Sequence, residues 1–359
     1  MGRQGSYVGQ LALIAAAYFV AARFSLALAI PPGYATAVWP PSGIALAATL
    51  LLGARVWPGI WMGAALANLA VEASVLSALI IACGNTLEAL VGSTLMRRYA
   101  GDPGRFRCGE DVIKFVVLCT LAAGIAASVA LVPLVWRHSM TWAEGLRNWW
   151  TWWQGDVAGM IIIAPLILSW TARGAALWPR KRKLEGAVFG ALLLAVAAAL
   201  ASDDATHFAP FSLTFIALPF IIWGAFRFGQ REVATAIAVA CAFAVWFVLE
   251  RREVFASAPQ NELLLMLLGF VSIVVTTGLV LVTEVTERSR TTEELRRRRD
   301  SLESQVQEHA RHDALTGLAN GHSFRERLAQ LLGMAGRTGE KVAVAAVDIE
   351  RFNTLNDTL

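Results

Sequence analysis

Residues 149–171 read WWTWWQGDVAGMIIIAPLILSWT. The stretch holds one acidic side chain, Asp156, and no basic one. It matches the run of about 20 apolar residues that crosses a hydrocarbon layer about 30 Å thick. Working outward, further candidate spans lie near 7–30, 37–53, 56–72, 74–96, 112–136, 185–201, 211–227, 232–249 and 263–283. The expected fold is therefore an all-α polytopic membrane bundle of about ten spans. The runs at 37–53 and 56–72 are short and carry Pro40, Pro41 and Pro58. If these two are broken or re-entrant, eight full spans remain. The first run is too long for the apolar region of a signal peptide and Arg23 interrupts it, so it reads as an uncleaved helix.

Composition agrees. The 359 residues are 56% hydrophobic and only 16% charged, with a mean hydropathy of +0.54. A soluble domain carries about a quarter charged residues. The net charge of +4 does not point to nucleic acid, because the basic residues sit mostly in short loops between apolar runs. With the N-terminus inside, the inner flanks hold 13 Lys and Arg, including Arg55, Arg97, Arg98 and the Arg180–Lys183 cluster. The outer loops hold 4: Arg137, Arg147, Arg251 and Arg252. That asymmetry puts both termini in the cytosol. Cys83, Cys108, Cys119 and Cys241 form neither a disulfide framework nor a zinc spacing.

Polar groups inside the apolar runs stand out. Arg23, Asn68, Asn85, Glu88 and Asp156 are such groups, and a charge at the centre of a span costs about 2.5–3.5 kcal/mol. They are expected to face the bundle interior. Asn85 and Glu88, three apart, share one helix face. Two readings stand side by side. One is a site for a polar ligand or ion. The other is structural, with interhelical hydrogen bonds and an ion pair between Arg23 and a carboxylate.

Beyond residue 283 the composition changes. Residues 284–312 are mostly polar and charged, without Pro or Gly. Val285, Leu295, Leu302 and Val306 share a heptad seam with Arg288, Thr292, Arg299 and His309. A parallel dimeric linker is expected, about 40 Å long if helical throughout. Residues 313–359 read as a turn, a helix over Ser323–Leu332, a loop, a buried strand over Lys341–Ile349 and the start of another helix. The organisation is thus a membrane domain (1–283), a linker (284–312) and a soluble segment (313–359).

In that segment, Asp313-Ala-Leu-Thr-Gly-Leu-Ala-Asn320 and Val347-Asp-Ile-Glu-Arg-Phe-Asn-Thr-Leu-Asn-Asp357 resemble the opening of the GGDEF (diguanylate cyclase) domain family. The resemblance implies an α/β fold in which Asp348 binds Mg²⁺ through its side chain and Ile349 through its carbonyl. It implies that Phe352 and Asn353 lie along a GTP triphosphate and that Asn356 bonds the guanine. It implies a homodimer that joins two GTP into cyclic di-GMP in bacteria. Gly321, Glu350 and Asn353 depart from the family's usual residues. The GGDEF loop itself is absent from these residues, so the chain as given is expected to be inactive.

The membrane part resembles the first class of MASE-type sensor domains. The residues that carry the resemblance are Trp39-Pro-Pro-Ser-Gly-Ile-Ala45, Gly53, Arg55, Trp57-Pro-Gly59, Asn68, Gly84-Asn-Thr-Leu-Glu-Ala89, Trp152-Trp-Gln-Gly-Asp156 and Ala164-Pro165. The resemblance implies a sensor in the bacterial inner membrane, answering an unknown ligand or membrane partner and regulating cyclic di-GMP synthesis. Two alternatives stand beside it. One is a degenerate, GTP-binding GGDEF domain regulating a downstream phosphodiesterase. The other is a transporter or channel.

Overall fold

A computed structural model of the protein describes residues 2–27, 36–71, 74–100, 106–136, 141–172, 180–201, 212–250, 260–313, 315–348 and 350. The chain divides into two compact units, Met1–Arg288 and Ser289–Leu359.

Each of the ten expected apolar segments is a helix. In order these are α1 (Gly2–Ala27), α2 (Pro40–Leu52), α3 (Trp57–Leu69), α4 (Val75–Tyr99), α5 (Gly109–Trp136), α6 (Trp142–Thr171), α7 (Arg180–Ala201), α8 (Ser212–Arg227), α9 (Gln230–Glu250) and α10 (Gln260–Arg311). Among the described residues, five helices are long and apolar enough to cross a membrane, so this is a multi-pass membrane protein. They lie in α1, α4, α5, α6 and α10.

The pair α2 and α3 is short and packs against α1, α4 and α6. Each has 13 residues, about 20 Å of helix. A short 3₁₀ turn over Ala54–Val56 joins them, after Gly53 at φ 87°. The Tyr7 hydroxyl donates to the Arg55 carbonyl at 2.7 Å, and Arg97 donates to the Thr49 and Leu50 carbonyls at 2.7 and 2.9 Å. The α2–α3 turn therefore lies level with the start of α1 and the end of α4. Proline sits in the first turn of α2 and of α3, where no intrahelical N–H bond is lost.

Small residues bring the helices together. An added Cβ on Gly59 or Gly63 of α3 would lie 2.8 Å from the Leu11 or Ala15 carbonyl oxygen of α1. At the α2–α6 crossing, Gly159 lies against the Trp39 carbonyl, and Gly43 against the Gly159 carbonyl. The Trp39 N–H donates to the Gly155 carbonyl at 2.8 Å. Backbone meets backbone here, which only small residues allow. One apolar cluster joins α1 to α4, and a larger one runs from α2 through α4, α5 and α6 to α8, α9 and α10.

At the start of α5, the Gly109 N–H donates to Glu284 of α10 at 2.8 Å. A carboxylate in this position satisfies one of the helix's free N–H groups and complements its dipole. No break separates the apolar part of α10 from the charged residues that follow. Leu295, Leu302 and Val306, expected at a seam, are exposed on the single chain, and (i, i+4) pairs such as Glu293–Arg297 and Glu294–Arg298 line the helix.

The second unit contains α11 (Gly321–Thr338), which covers the helix expected at 323–332. The strand expected at 341–349 is not found. Residues 341–348 form no ladder, and the described residues offer no second strand to pair with their N–H and C=O groups. Val344 and Val347, expected to be buried there, are exposed.

The α2–α6 crossing yields a prediction. Gly159→Ala drives a methyl into the Trp39 carbonyl and should destabilise the bundle by about 1–3 kcal/mol or more. Gly190→Ala meets nothing within 4 Å and should not. Thermal unfolding of the two variants in nanodiscs distinguishes them.

Candidate functional site

Three buried segments converge on one point. The Ser42 hydroxyl of α2 donates to Asp156 Oδ1 of α6 at 2.7 Å. Glu88 of α4, only 1% exposed, lies within electrostatic reach of both Asp156 and Ser42. Ser42 has one hydroxyl hydrogen and gives it to Asp156. Both carboxylate oxygens of Glu88 are consequently buried with no hydrogen-bond partner among the described residues. Gln154, two residues before Asp156 and so on another face of α6, is 2% exposed and also leaves its amide oxygen and nitrogen unpartnered. The Tyr18 ring of α1 is fully buried, and its hydroxyl approaches Trp39, Asn85 and Asp156 without a hydrogen bond of good geometry.

Beside this cluster lies a cavity of about 90 Å³ that is partly open to the surroundings. Asp156 is its acidic wall. Trp39 and Trp152 supply aromatic surface, Asn68 and Asn85 supply amides, and Leu26, Val71, Ile81 and the Ala126–Ala130 turn of α5 supply apolar surface. These residues lie at the end of the bundle away from Tyr7, Arg55 and Arg97.

Four of the five residues expected at a sensor site thus gather: Asn68, Asn85 and Asp156 line the cavity, and Glu88 sits beside Asp156. Arg23 does not join them. It is exposed on α1, and no ion pair to a carboxylate forms among the described residues, so the structural pairing expected for it is not found. A guanidinium has a long stem that can carry its charge to the surface, whereas Glu88 and Asp156 are held inside by short ones. Sequence reasoning misses Tyr18 and Ser42. Ser42 is a polar residue next to Pro41 in an apolar run, which is the available signal. Tyr18 carries none.

In the second unit, Asp313-Ala-Leu-Thr-Gly-Leu-Ala-Asn320 forms a tight connector. Asp313 Oδ1 accepts from the Thr316 N–H at 3.0 Å, the Thr316 hydroxyl at 2.9 Å and the Leu315 N–H at 3.2 Å. Gly317 adopts φ 68°, which a side chain resists. Asn320 caps α11 by accepting from the His322 and Ser323 N–H groups at 3.1 and 3.0 Å. Gly321, a departure from the family pattern, is simply the first residue of α11 after this cap. Asp348 is exposed, while Ile349, Phe352, Asn353 and Asn356 lie outside the described residues. Among the described residues no group of three His, Cys, Asp or Glu could hold a metal. Asp348 alone cannot supply the octahedral oxygen shell of Mg²⁺.

The sequence profile of the MASE1 family matches residues 10–289. The chain belongs to the MASE1 family. Residues 310–359 match the diguanylate cyclase GGDEF domain. A protein of Caulobacter vibrioides, described as an uncharacterized signaling protein, is 38% identical over 61 residues, which is 17% of this chain and 8% of that relative. The chain therefore spans only a small part of the length of the curated relative it matches. No solved structure matches it. A MASE1 membrane domain followed by a GGDEF domain is the architecture of a membrane signalling protein. Its MASE1 motifs 39–45, 84–89 and 152–156 are the segments that meet at Ser42, Glu88 and Asp156.

Hydrogen bonds from the Thr316 N–H, the Thr316 hydroxyl and the Leu315 N–H hold the Asp313 carboxyl below the usual range. Its folded form binds a proton less tightly than its unfolded form. The turn's stabilisation is thus fully present above the ordinary carboxylate value near 4 and fades as pH falls through the lowered folded value. Protection of the Leu315 and Thr316 amides, measured against their intrinsic exchange rates, should fall over that acid window, and Asp313→Ala should show the low protection already at neutral pH.

Proposed function

We propose that this MASE1 protein is a sensor in the bacterial cytoplasmic membrane that regulates cyclic di-GMP synthesis from two GTP by its GGDEF domain. Both termini face the cytosol. Residues 1–283 form the membrane sensor, 284–312 a signalling helix and 313–359 the opening of the GGDEF domain. That domain works as a homodimer with Mg²⁺, with Asp348 and Ile349 at the metal and Phe352, Asn353 and Asn356 at GTP.

The observation that carries the sensor reading is the buried polar cluster beside an open cavity. Two carboxyl groups and a phenol are gathered there, and Glu88 and Tyr18 have no hydrogen-bond partner among the described residues. Buried polar groups are hydrogen-bonded in most proteins, so each exception calls for a partner such as a ligand, an ion or a water molecule. The route outward is supported by α5, whose Ala126–Ala130 turn lines the cavity while Gly109, at its other end, is held by Glu284 of α10. A stimulus that repositions α5 would act on the helix that continues toward the GGDEF domain. The exposed seam of Leu295, Leu302 and Val306 supports a dimeric linker, since an apolar stripe on a charged helix gains from a second copy.

Two measurements test this. In a form of the protein that carries a complete GGDEF domain, Glu88→Gln, Asp156→Asn and Asn85→Ala should each shift cellular cyclic di-GMP several-fold at unchanged protein level. Unchanged output in all three would remove the sensor site. In membranes, Leu295→Cys and Leu302→Cys should cross-link into dimers under mild oxidation, whereas Arg298→Cys and Ser304→Cys, off the seam, should not.

A further inference from the structure

The sensor reading leaves open what enters the cavity, and the charge of its walls narrows that choice. The inference that follows rests on that reading and gives the ligand a chemical class. Asp156 and Glu88 are two acidic groups side by side in a desolvated place, 5% and 1% exposed. Among the described residues no Lys or Arg offsets them. The ion pairs there lie elsewhere: Lys114–Glu110, Arg227–Glu185, Arg231–Glu232 and the pairs along α10. Arg97 is committed to the Thr49 and Leu50 carbonyls at the opposite end, and Arg23 is exposed. A buried carboxyl is either kept neutral by its proton or held charged by an opposite charge or a metal, and a cation in the cavity supplies that opposite charge.

The rest of the lining says what kind of opposite charge fits. Indole faces attract cations, and Trp39 and Trp152 both line the cavity. The cavity, about 90 Å³, has room for several water-sized groups, so a small organic cation fits as well as a hydrated ion. Most of the wall is apolar, from Leu26, Val71 and Ile81, which suits a hydrocarbon body. The carboxylates are too few for a metal site: no group of three candidate ligands exists among the described residues.

We infer that the cavity binds a small organic ammonium ion, its charged nitrogen held by Asp156 with Glu88 behind it, between Trp39 and Trp152. Glu88 and Tyr18 supply acceptors to the ammonium N–H groups or to water that accompanies them. The ligand reaches the cavity from the end of the bundle away from Arg55 and Arg97.

The test uses the full chain in nanodiscs of uncharged lipid at fixed ionic strength. Tryptophan fluorescence is followed during titration with butylammonium, tetramethylammonium, neutral 1-butanol and sodium chloride. At least one ammonium probe should give a saturable change, and butanol and sodium should give none. Asp156→Asn should weaken that binding about tenfold, the loss of one charge-assisted contact. Trp152→Leu, a change in the cavity wall that leaves the buried pair intact, should also weaken it. Thermal unfolding of each variant confirms that it is folded, and Trp152→Leu decides the matter if Asp156→Asn does not fold. Saturable binding of butanol equal to butylammonium, an equal response to sodium, or no saturable response to either ammonium ion would overturn the inference. The sensor reading fails separately, when the Glu88, Asp156 and Asn85 substitutions leave cyclic di-GMP output unchanged. Altered output together with absent ammonium binding would sink the ligand class alone.

Discussion

The hydrogen bond from Ser42 to Asp156 is the constraint around which the membrane domain is arranged. A carboxyl group inside an apolar bundle is stabilised by a hydrogen-bond donor, and for Asp156 the donor comes from another helix. Bringing α2 close enough for a serine, with its short side chain, requires that backbone approach backbone. Gly43, Gly155 and Gly159 provide the room, and the Trp39 N–H fixes the register by donating to the Gly155 carbonyl. The prolines at 40 and 41 start α2 at the level where Ser42 faces Asp156. One buried acid thus accounts for the pattern Trp39-Pro-Pro-Ser-Gly and for Gly155 and Gly159 near the middle of α6.

Much of this was legible in the sequence, and the parts that were not share a physical cause. Apolar length and loop charge locate ten helices, because the hydrocarbon layer imposes both signals locally. Asn68, Asn85, Glu88 and Asp156 are visible because a polar group in an apolar run is anomalous wherever it sits. Arg23 is equally anomalous by that rule and yet exposed, since composition does not report which way a helix face is turned. Tyr18 is invisible because an aromatic ring in a span is unremarkable until its hydroxyl is found buried. The strand expected at 341–349 fails for a related reason. The apolar spacing of Val342, Val344 and Val347 specifies a side-chain pattern, but a strand exists only through its neighbours' hydrogen bonds.

The two motifs carried over by family resemblance in the second unit differ in kind. Asp313 to Asn320 is a local structure: its carboxylate, its Gly317 and its Asn320 each satisfy backbone within a few residues. Such a segment folds from its own sequence and marks the start of α11. The Asp348 segment is chemical rather than structural, and its meaning depends on residues brought from elsewhere in a folded domain. Sequence similarity is informative about both, while local geometry is informative about the first alone.

A membrane sensor must also convert a small binding event into a discrete change. A ligand shifts an equilibrium only by the difference in its affinity for the two states. Helices separated by flexible side chains would absorb that difference by small rotamer adjustments. Helices whose backbones touch, as at Gly43–Gly159, Gly59–Leu11 and Gly63–Ala15, have little such slack. Packed interfaces of this kind tend to move between arrangements rather than deform continuously. Close packing around the Asp156 cluster therefore serves two ends with one composition. It holds an acid in place inside a bilayer, and it makes displacement of that acid's neighbours a concerted movement of helices.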